Sequence, residues 1–105
     1  MMKTGTVQLG NASLHIGYTQ IIPPTKRGLA REITEFYVPD RHRNLGEGTR
    51  LLEEVCGQAD DGNIILILMA DTVKLKEFYE KFGFKMIQDG NNILMARQPK
   101  GESNE

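Results

Sequence analysis

The sequence predicts an α/β fold, namely a mixed, mostly antiparallel sheet with a central parallel βαβ unit and two main helices. A strand, a glycine-containing turn, an amphipathic helix and a second apolar strand follow one another between residues 30 and 70. Hairpin patterns flank this unit on both sides, and a second helical pattern precedes the last hairpin. A strand, helix and strand in this order form a right-handed crossover between parallel strands, whereas hairpins add antiparallel neighbours.

Length and composition favour one soluble domain. The chain has 105 residues and a net charge of -1, so no overall field attracts it to nucleic acid or a membrane. Cys56 is the single cysteine, which excludes an internal disulfide and fits a reducing compartment. Because no apolar run is long enough for a signal peptide or a membrane helix, we expect a cytoplasmic protein. We place the domain at residues 1–98 and a flexible tail at 99–105.

The first part of the chain is predicted to form three strands. Apolar residues alternate with polar ones at 6–9 and 14–22, and Gly10-Asn11 between them indicates a turn. A pair of prolines then excludes a central strand and indicates a stiff, basic loop. The third strand covers residues 30–38, with an irregularity in its apolar pattern.

The central and C-terminal parts alternate helices with strands. After the glycine-containing turn, apolar residues recur at helical spacing until residues 60–63 end the helix, and a fully apolar strand follows at 64–70. Asp71-Thr72 can cap a second helix, and Gly83 can end it. A hairpin within residues 84–97 completes the domain.

The turn that precedes the first helix has the features of an anion site. Gly46 and Gly48 carry no side chain that would keep an anion from the free amides of a helix N-terminus, and Arg43 adds positive charge. The simpler alternative is that the two glycines only shape a tight turn. A Walker A loop is excluded because Thr49 and Arg50 follow Gly48, and the third glycine of a dinucleotide fingerprint is absent.

Two motifs in this order resemble the GNAT N-acetyltransferases, which transfer an acetyl group from acetyl-CoA to an amine. Arg43-Asn44-Leu45-Gly46-Glu47-Gly48 matches the family's Gln/Arg-x-x-Gly-x-Gly/Ala between a strand and a helix. Tyr79-Glu80-Lys81-Phe82-Gly83-Phe84 matches its Tyr-x-x-x-Gly-Phe, with an apolar strand between the two motifs. The resemblance covers residues 33–97 and implies an acyl-CoA N-acyltransferase-like fold.

The resemblance also implies where acetyl-CoA, the acetyl donor, would bind. Arg43 and the amides of the glycine turn would hold the pyrophosphate, and open backbone at the end of the third strand would pair with the pantetheine arm. Thr72 occupies a position that is often an asparagine in contact with the cofactor. The implied cofactor-binding residues are therefore Phe36, Tyr37, Val38, Arg43, Asn44, Leu45, Gly46, Glu47, Gly48, Thr49 and Thr72.

For catalysis, the resemblance implies that Tyr79 protonates the departing thiolate, although its place on an apolar helix stripe also suits a core tyrosine. The proton of the amine requires an acceptor, because a lysine amine has a pKa near 10.4. Glu32 and Glu35 lie on the strand that would pass the acetyl group, and a regular strand would direct at most one of them to the site. The alternative is that both carboxylates are solvated and that a chain of waters accepts the proton.

Two residues depart from the family pattern. Glu47 stands where an apolar residue is usual, and at about 4 Å and an effective dielectric constant of about 20 a like-charge pair costs about 4 kcal/mol. The carboxylate of Glu47 must therefore point away from a bound pyrophosphate. Thr72 can replace only part of the hydrogen bonding of an asparagine amide.

Family members usually carry a strand and two helices before the first hairpin, whereas this chain begins near the hairpin. The resemblance therefore implies an open acceptor side that suits a protein lysine or N-terminal amine, or a second copy of the chain in a homodimer that supplies the missing wall. The alternative is a non-catalytic module of the same fold that binds CoA or a protein partner. His15 and His42 lack a second ligand at useful spacing, so we expect no metal site.

Overall fold

The computed structural model describes residues 2–19, 29–42 and 45–100. Its elements are β1 (Gly5–Leu9), β2 (Ala12–Gly17), β3 (Leu29–Tyr37), a short 3-10 helix (Asp40–His42), α1 (Glu47–Gly62), β4 (Ile64–Ala70), α2 (Val73–Glu80), β5 (Lys85–Gln88) and β6 (Ile93–Arg97). Within the described ranges, the six strands form one sheet in the order β1-β2-β3-β4-β6-β5, and the β3–β4 pair is parallel while the other pairs are antiparallel. The predicted fold class is confirmed.

The N-terminal hairpin turns at the predicted place. Gly10 has a φ of 61°, which a residue without a side chain adopts at little cost, and β1 and β2 pair from Leu9–Ala12 outward. β2 ends at Gly17, earlier than the predicted strand at 14–22. Residues 20–28, which include the predicted basic loop, lie outside the described part of the chain.

The central βαβ unit is formed as predicted. The two helices pack on one face of the sheet, where α1 buries its apolar stripe against alternate residues of β2 and β4. β4 is buried on both faces, because Ile65 and Ile67 form a second small cluster with Leu94 and Ala96 of β6. Asn63, in the left-handed conformation, ends α1, and its N–H donates to the carbonyl groups of Ala59 and Asp60.

One buried arginine joins the C-terminal strand to α1 and to the turn that follows α2. The guanidinium of Arg97 binds both carboxylate oxygens of Asp60 at 2.8 and 3.1 Å, and its Nε–H donates to the Phe82 carbonyl at 2.7 Å. Pro99 is buried, and the Lys100 N–H donates to the same Asp60 carboxylate at 2.8 Å. These two are the only residues of the predicted tail that the structure describes. None of the helices in the described ranges is long and apolar enough to cross a bilayer.

Candidate active site

The parallel strands β3 and β4 separate towards their C-terminal ends. Their pairing begins at Leu29–Ile64 and ends at Glu32–Ile67, although both strands continue beyond these residues. Glu35 lies just past this point with a φ of 55°, which is uncommon for a residue with a side chain, and the β2–β3 register shifts there. The predicted irregularity is therefore a bulge, and beyond Glu32 the edge of β3 that faces β4 has no strand partner.

The turn before α1 leaves backbone donors free of intrahelical partners. Gly46 caps the helix with a φ of 80° and provides no side-chain cap. The first helical hydrogen bond runs from the Arg50 N–H to the Gly46 carbonyl at 3.0 Å, so the amides of Gly48 and Thr49 have no acceptor within the helix. This arrangement can bind an anion, because unpaired N–H groups and the positive end of the helix dipole coincide there.

Gly48 has a packing role in addition. A Cβ atom at this position would lie 2.9 Å from Val38 Cγ2, which is closer than real Cβ atoms approach, and 3.3 Å from Phe36 Cζ, which is a tight contact. Gly48 therefore allows the first turn of α1 to pack directly on the end of β3. The alternative that the glycines only shape the turn accounts for the φ of 80° at Gly46, while the amides of Gly48 and Thr49 remain suited to an anion.

A cavity of about 580 Å³ lies between the first turn of α1, the end of β3 and the start of α2. It is lined by six of the predicted cofactor-binding residues and by three further residues of α2: Phe36, Val38, Gly46, Gly48, Thr49, Thr72, Lys74, Leu75 and Phe78. Thr72 also caps α2, because its Oγ1 accepts a hydrogen bond from the Leu75 N–H at 3.1 Å. Its hydroxyl hydrogen can still donate to a ligand.

The carboxylate of Glu47 is turned towards the β1–β2 turn. Its Oε1 accepts a hydrogen bond from the Asn11 N–H at 3.2 Å, and its Cδ lies 2.7 Å from the position that a Cβ of Gly10 would take. The structure thus holds this side chain in contact with the neighbouring hairpin, as binding of an anion at the amides of α1 requires.

The other predicted cofactor-binding residues are less enclosed. Leu45 and Tyr37 have exposed side chains, and the Leu45 carbonyl accepts a hydrogen bond from Arg50 Nη1 at 3.4 Å. Arg43 and Asn44 lie outside the described residues.

A second cavity, of about 330 Å³, adjoins the first, because Phe36 and Leu75 contribute to the walls of both. Both Glu32 and Glu35 line it together with Tyr79. The expectation that at most one of the two glutamates could face the site applied to a regular strand, and β3 is not regular at this point. The bulge at Glu35 changes the alternation of side chains between these two positions.

Tyr79 is buried among aromatic rings beside this cavity. Its side chain is 5% exposed, and its ring lies 5.6 to 6.2 Å from those of Phe36, Phe78 and Phe84. Burial, with a smaller effect of the negative charge of Asp71, raises the pKa of Tyr79 to about 12. The hydroxyl group is therefore protonated at neutral pH and can donate a hydrogen bond into the cavity.

Three charged residues that the sequence did not indicate lie at the two cavities and the glycine turn. Asp71 lines the cavity of Tyr79, Lys74 lines the larger cavity, and Arg50 lies beside the glycine turn. Lys74 and Arg50 could have been suggested by their positions in the first turns of the two helices. Asp71 offered no signal except its place in a helix cap.

The comparisons with known proteins agree with this architecture. The chain matches the family model described as an acetyltransferase (GNAT) domain over residues 11–94, whereas a search of curated proteins finds no match. An acetyltransferase of the GNAT family from Staphylococcus aureus Mu50 is 19% identical, with a TM-score of 0.65 over 86% of this chain and 60% of that one.

Two further solved structures resemble this chain with similar sequence identities and TM-scores. Arabidopsis thaliana Naa50, in complex with the bisubstrate analogue CoA-Ac-MVNAL, is 18% identical with a TM-score of 0.67 over 83% of this chain and 64% of that one. A GNAT family acetyltransferase from Elizabethkingia anophelis with acetyl-CoA bound is 17% identical with a TM-score of 0.62 over 83% of this chain and 67% of that one. The matched residues 11–94 include every residue that lines the two adjoining cavities, and the chain belongs to the GNAT acetyltransferase family.

Proposed function

We propose that this protein is an N-acetyltransferase that transfers the acetyl group of acetyl-CoA to an amine, with a lysine or an N-terminus of a protein as the acceptor. The observation that carries the proposal is that the two cavities are neighbours, with Phe36 and Leu75 in the walls of both, where β3 and β4 separate. One cavity reaches the free amides of α1, and the other reaches a protonated tyrosine and carboxylates. An anionic donor and an amine acceptor would therefore meet between them.

The residues of the larger cavity fit the donor. The amides of Gly48 and Thr49 suit a pyrophosphate, and Lys74 at the wall adds a positive charge. The open edge of β3 provides backbone groups for an amide-containing arm such as pantetheine. Phe36, Val38 and Phe78 supply apolar contact along the same path.

Acetyl-CoA would supply the acetyl group as a thioester, and the residues of the smaller cavity would handle the protons. An ammonium acceptor loses two protons in becoming an amide: one must be taken up before attack, and one ends on the sulfur. Glu35 or Glu32 can accept the first, directly or through water. Tyr79, with a pKa of about 12, is a weaker acid than a thiol with a pKa near 8.5. Its role is therefore to donate a hydrogen bond to the developing thiolate rather than to transfer its proton completely.

A peptide acceptor is supported by one of the similar structures. The analogue in the Arabidopsis thaliana protein joins CoA to a short peptide through an acetyl group, as its designation CoA-Ac-MVNAL states. In the present protein, the smaller cavity is walled partly by exposed residues such as Glu35, Met69 and Asp71, so a chain segment can reach Tyr79 from solvent.

The first test is the thermal stability of the protein with and without acetyl-CoA, with pyrophosphate as the control. A donor present at 100 times its dissociation constant stabilises the folded state by about 2.7 kcal/mol, which raises the unfolding midpoint measurably. Stabilisation by acetyl-CoA beyond that by pyrophosphate supports the proposal. An unchanged midpoint, in folded protein free of bound CoA, would refute it.

Two variants separate binding from turnover. Gly46→Asp should weaken acetyl-CoA binding at least tenfold, because it adds a side chain and a negative charge at the free amides, whereas Gly90→Asp, in open space, should leave it unchanged. Tyr79→Phe should leave binding intact and lower the rate of transfer. Full activity of Tyr79→Phe would exclude the role given to its hydroxyl. Donor binding without transfer to any peptide amine would favour the non-catalytic alternative.

A further inference from the structure

The smaller cavity carries an excess of negative charge. Its lining residues include three acidic ones, Glu32, Glu35 and Asp71, and none of them is a lysine, an arginine or a histidine. Such a concentration of one sign of charge raises the local concentration of ions of the opposite sign. The preferred occupant of this cavity is therefore cationic.

The three carboxylates are not neutralised by the parts of the protein that the structure describes. None of them forms a hydrogen bond or an ion pair with residues 2–19, 29–42 or 45–100. Tyr79, which is 95% buried and lines the same cavity, likewise makes no hydrogen bond through its hydroxyl within these ranges. Among the described residues no side-chain polar atom is both buried and without a partner, so this hydroxyl is accessible from the cavity and can donate a hydrogen bond to a polar group of a ligand there.

The arrangement of these groups does not suit a metal ion. Among the described residues, no set of three or more His, Cys, Asp or Glu side chains converges as metal ligands do. The three carboxylates therefore surround a volume of about 330 Å³ rather than a point, which suits an extended organic cation.

We infer, on the basis of the proposed function, that the acceptor carries at least two positive charges: the reacting ammonium and a second cation a short spacer away. One carboxylate is neutralised when it takes up the proton of the reacting ammonium, and two negative charges then remain in the wall. An acceptor with a single charge would leave both without a counterion. Asp71, which lies beside Tyr79 and outside the proposed proton transfer, is the residue that binds the second cation.

Two kinds of molecule carry an ammonium group with a second cation a short spacer away: a peptide with a lysine next to another basic residue, and a free polyamine. We would therefore measure kcat/KM with two matched pairs of acceptors. The first pair is a peptide with a Lys-Arg sequence and the same peptide with Lys-Gln, and the second is putrescine and butylamine. At least a tenfold preference for the doubly charged member of one pair is expected, and that pair identifies the source of the acceptor.

Two variants test whether the cavity causes the preference for doubly charged acceptors. Asp71→Asn should reduce the preference about two- to fivefold through a higher KM with little change in kcat, because an ion pair at an exposed carboxylate is lost. Asp61→Asn makes the same change of charge on an exposed residue at the end of α1 and should leave the preference unaltered. Equal kcat/KM values within both pairs, or an undiminished preference in Asp71→Asn, would overturn the inference.

A binding measurement separates failure of this inference from failure of the proposed function. Calorimetric titration of the same four amines into the protein with CoA requires no turnover, and the doubly charged amines should bind more tightly and lose more affinity at high salt. If acetyl-CoA raises the unfolding midpoint but charge does not affect amine binding, only this inference fails. If acetyl-CoA has no effect on the midpoint, the proposed function fails, and the titration is then made on the protein alone to decide whether the cavity binds dications.

Discussion

The backbone N–H of Asn11 donates a hydrogen bond to the carboxylate of Glu47 at 3.2 Å, which joins the β1–β2 turn to the first residue of α1. The contact bridges 36 positions of the chain. It directs the negative charge of Glu47 to a backbone donor instead of the free amides at the helix start. An acidic residue that would oppose anion binding is thereby accommodated in the anion-binding turn.

Gly10 provides the space for this contact, and we expect Gly10→Ala to lower the free energy of unfolding by about 1 to 3 kcal/mol. An added Cβ would lie 2.7 Å from Glu47 Cδ, and the φ of 61° is strained for alanine. Urea denaturation measures the change. Gly90→Ala, whose added Cβ meets no atom within 4 Å, is the control and should change stability by less than about 0.5 kcal/mol.

A second variant separates the steric clash with Glu47 from the backbone strain at position 10. In Gly10→Ala combined with Glu47→Ala, the steric part should disappear while about 1 kcal/mol of backbone strain remains. If Gly10→Ala is as stable as the parent protein, the close packing of the turn against Glu47 is not the reason for glycine at this position.

Gly48→Ala tests the packing of α1 on β3. Because the added methyl group would lie 2.9 Å from Val38 Cγ2, the helix must shift, and we expect a loss of about 1 to 3 kcal/mol in unfolding free energy. Gly57→Ala lies in the same helix with open space around it and should instead stabilise the protein by about 0.5 to 1 kcal/mol, from helix propensity. Stabilisation by both substitutions would contradict the close contact at Gly48.

The Arg97–Asp60 pair should contribute strongly to stability. Arg97→Met leaves the Asp60 carboxylate and the Phe82 carbonyl without their partner, and we expect a loss of about 2 to 4 kcal/mol in urea denaturation. Lys76→Met removes the charge from an exposed i,i+4 pair with Glu80 and should cost less than about 0.5 kcal/mol. Similar losses in the two variants would show that burial does not strengthen the Arg97 pair.

The same pair predicts how stability depends on acid. Burial acts to raise the pKa of Asp60, but hydrogen bonds from Arg97 and from the Lys100 amide outweigh it and hold the pKa below 3.8. The folded state therefore binds the Asp60 proton less tightly than the unfolded state does. The stability that this ionised carboxylate contributes is complete above the pKa of Asp60 in the unfolded state. It is lost as the pH falls through the pKa of Asp60 in the folded state. Asp60→Asn should show a smaller loss of stability between neutral and acidic pH than the parent protein.

Cys56 predicts a loss of stability in alkali. Burial, opposed in part by the charge of Arg97, raises the pKa of its thiol from 9.0 to about 11. The unfolded state releases the thiol proton first, so the stabilising effect is complete below pH 9 and is lost as the pH rises through 11. At most about 2 to 3 kcal/mol of unfolding free energy is lost across this pH range. Cys56→Ala should remove that part of the pH dependence in denaturation measured across the window, and an unchanged pH dependence would contradict burial of the thiol.

Local chemistry made much of the fold predictable. The turn at Gly10-Asn11, the cap by Thr72 and the end of α1 near Asn63 each depend on residues within a few positions of one another, and the structure has all three. Hydrophobic periodicity identified the buried faces of α1 and β4 for the same reason, because the repeat of each element fixes which side chains share a face.

Contacts between distant residues decided the rest. A bulge depends on how β3 pairs with β2, so the presence of both Glu32 and Glu35 in the lining of one cavity could not be obtained from alternation along β3 alone. The orientation of Glu47 depends on a backbone group 36 residues away. Asp71 carried no pattern of its own and became a site residue only because the end of β4 places it beside Tyr79.

The sequence by itself determined the elements, their order, the family and the position of the glycine turn, because these are written in local spacing and short motifs. The tertiary structure alone decided which charges face the cavities and which face the neighbouring hairpin. Electrostatic effects depend on distance through space, and residues from three separate elements of the chain meet at this site.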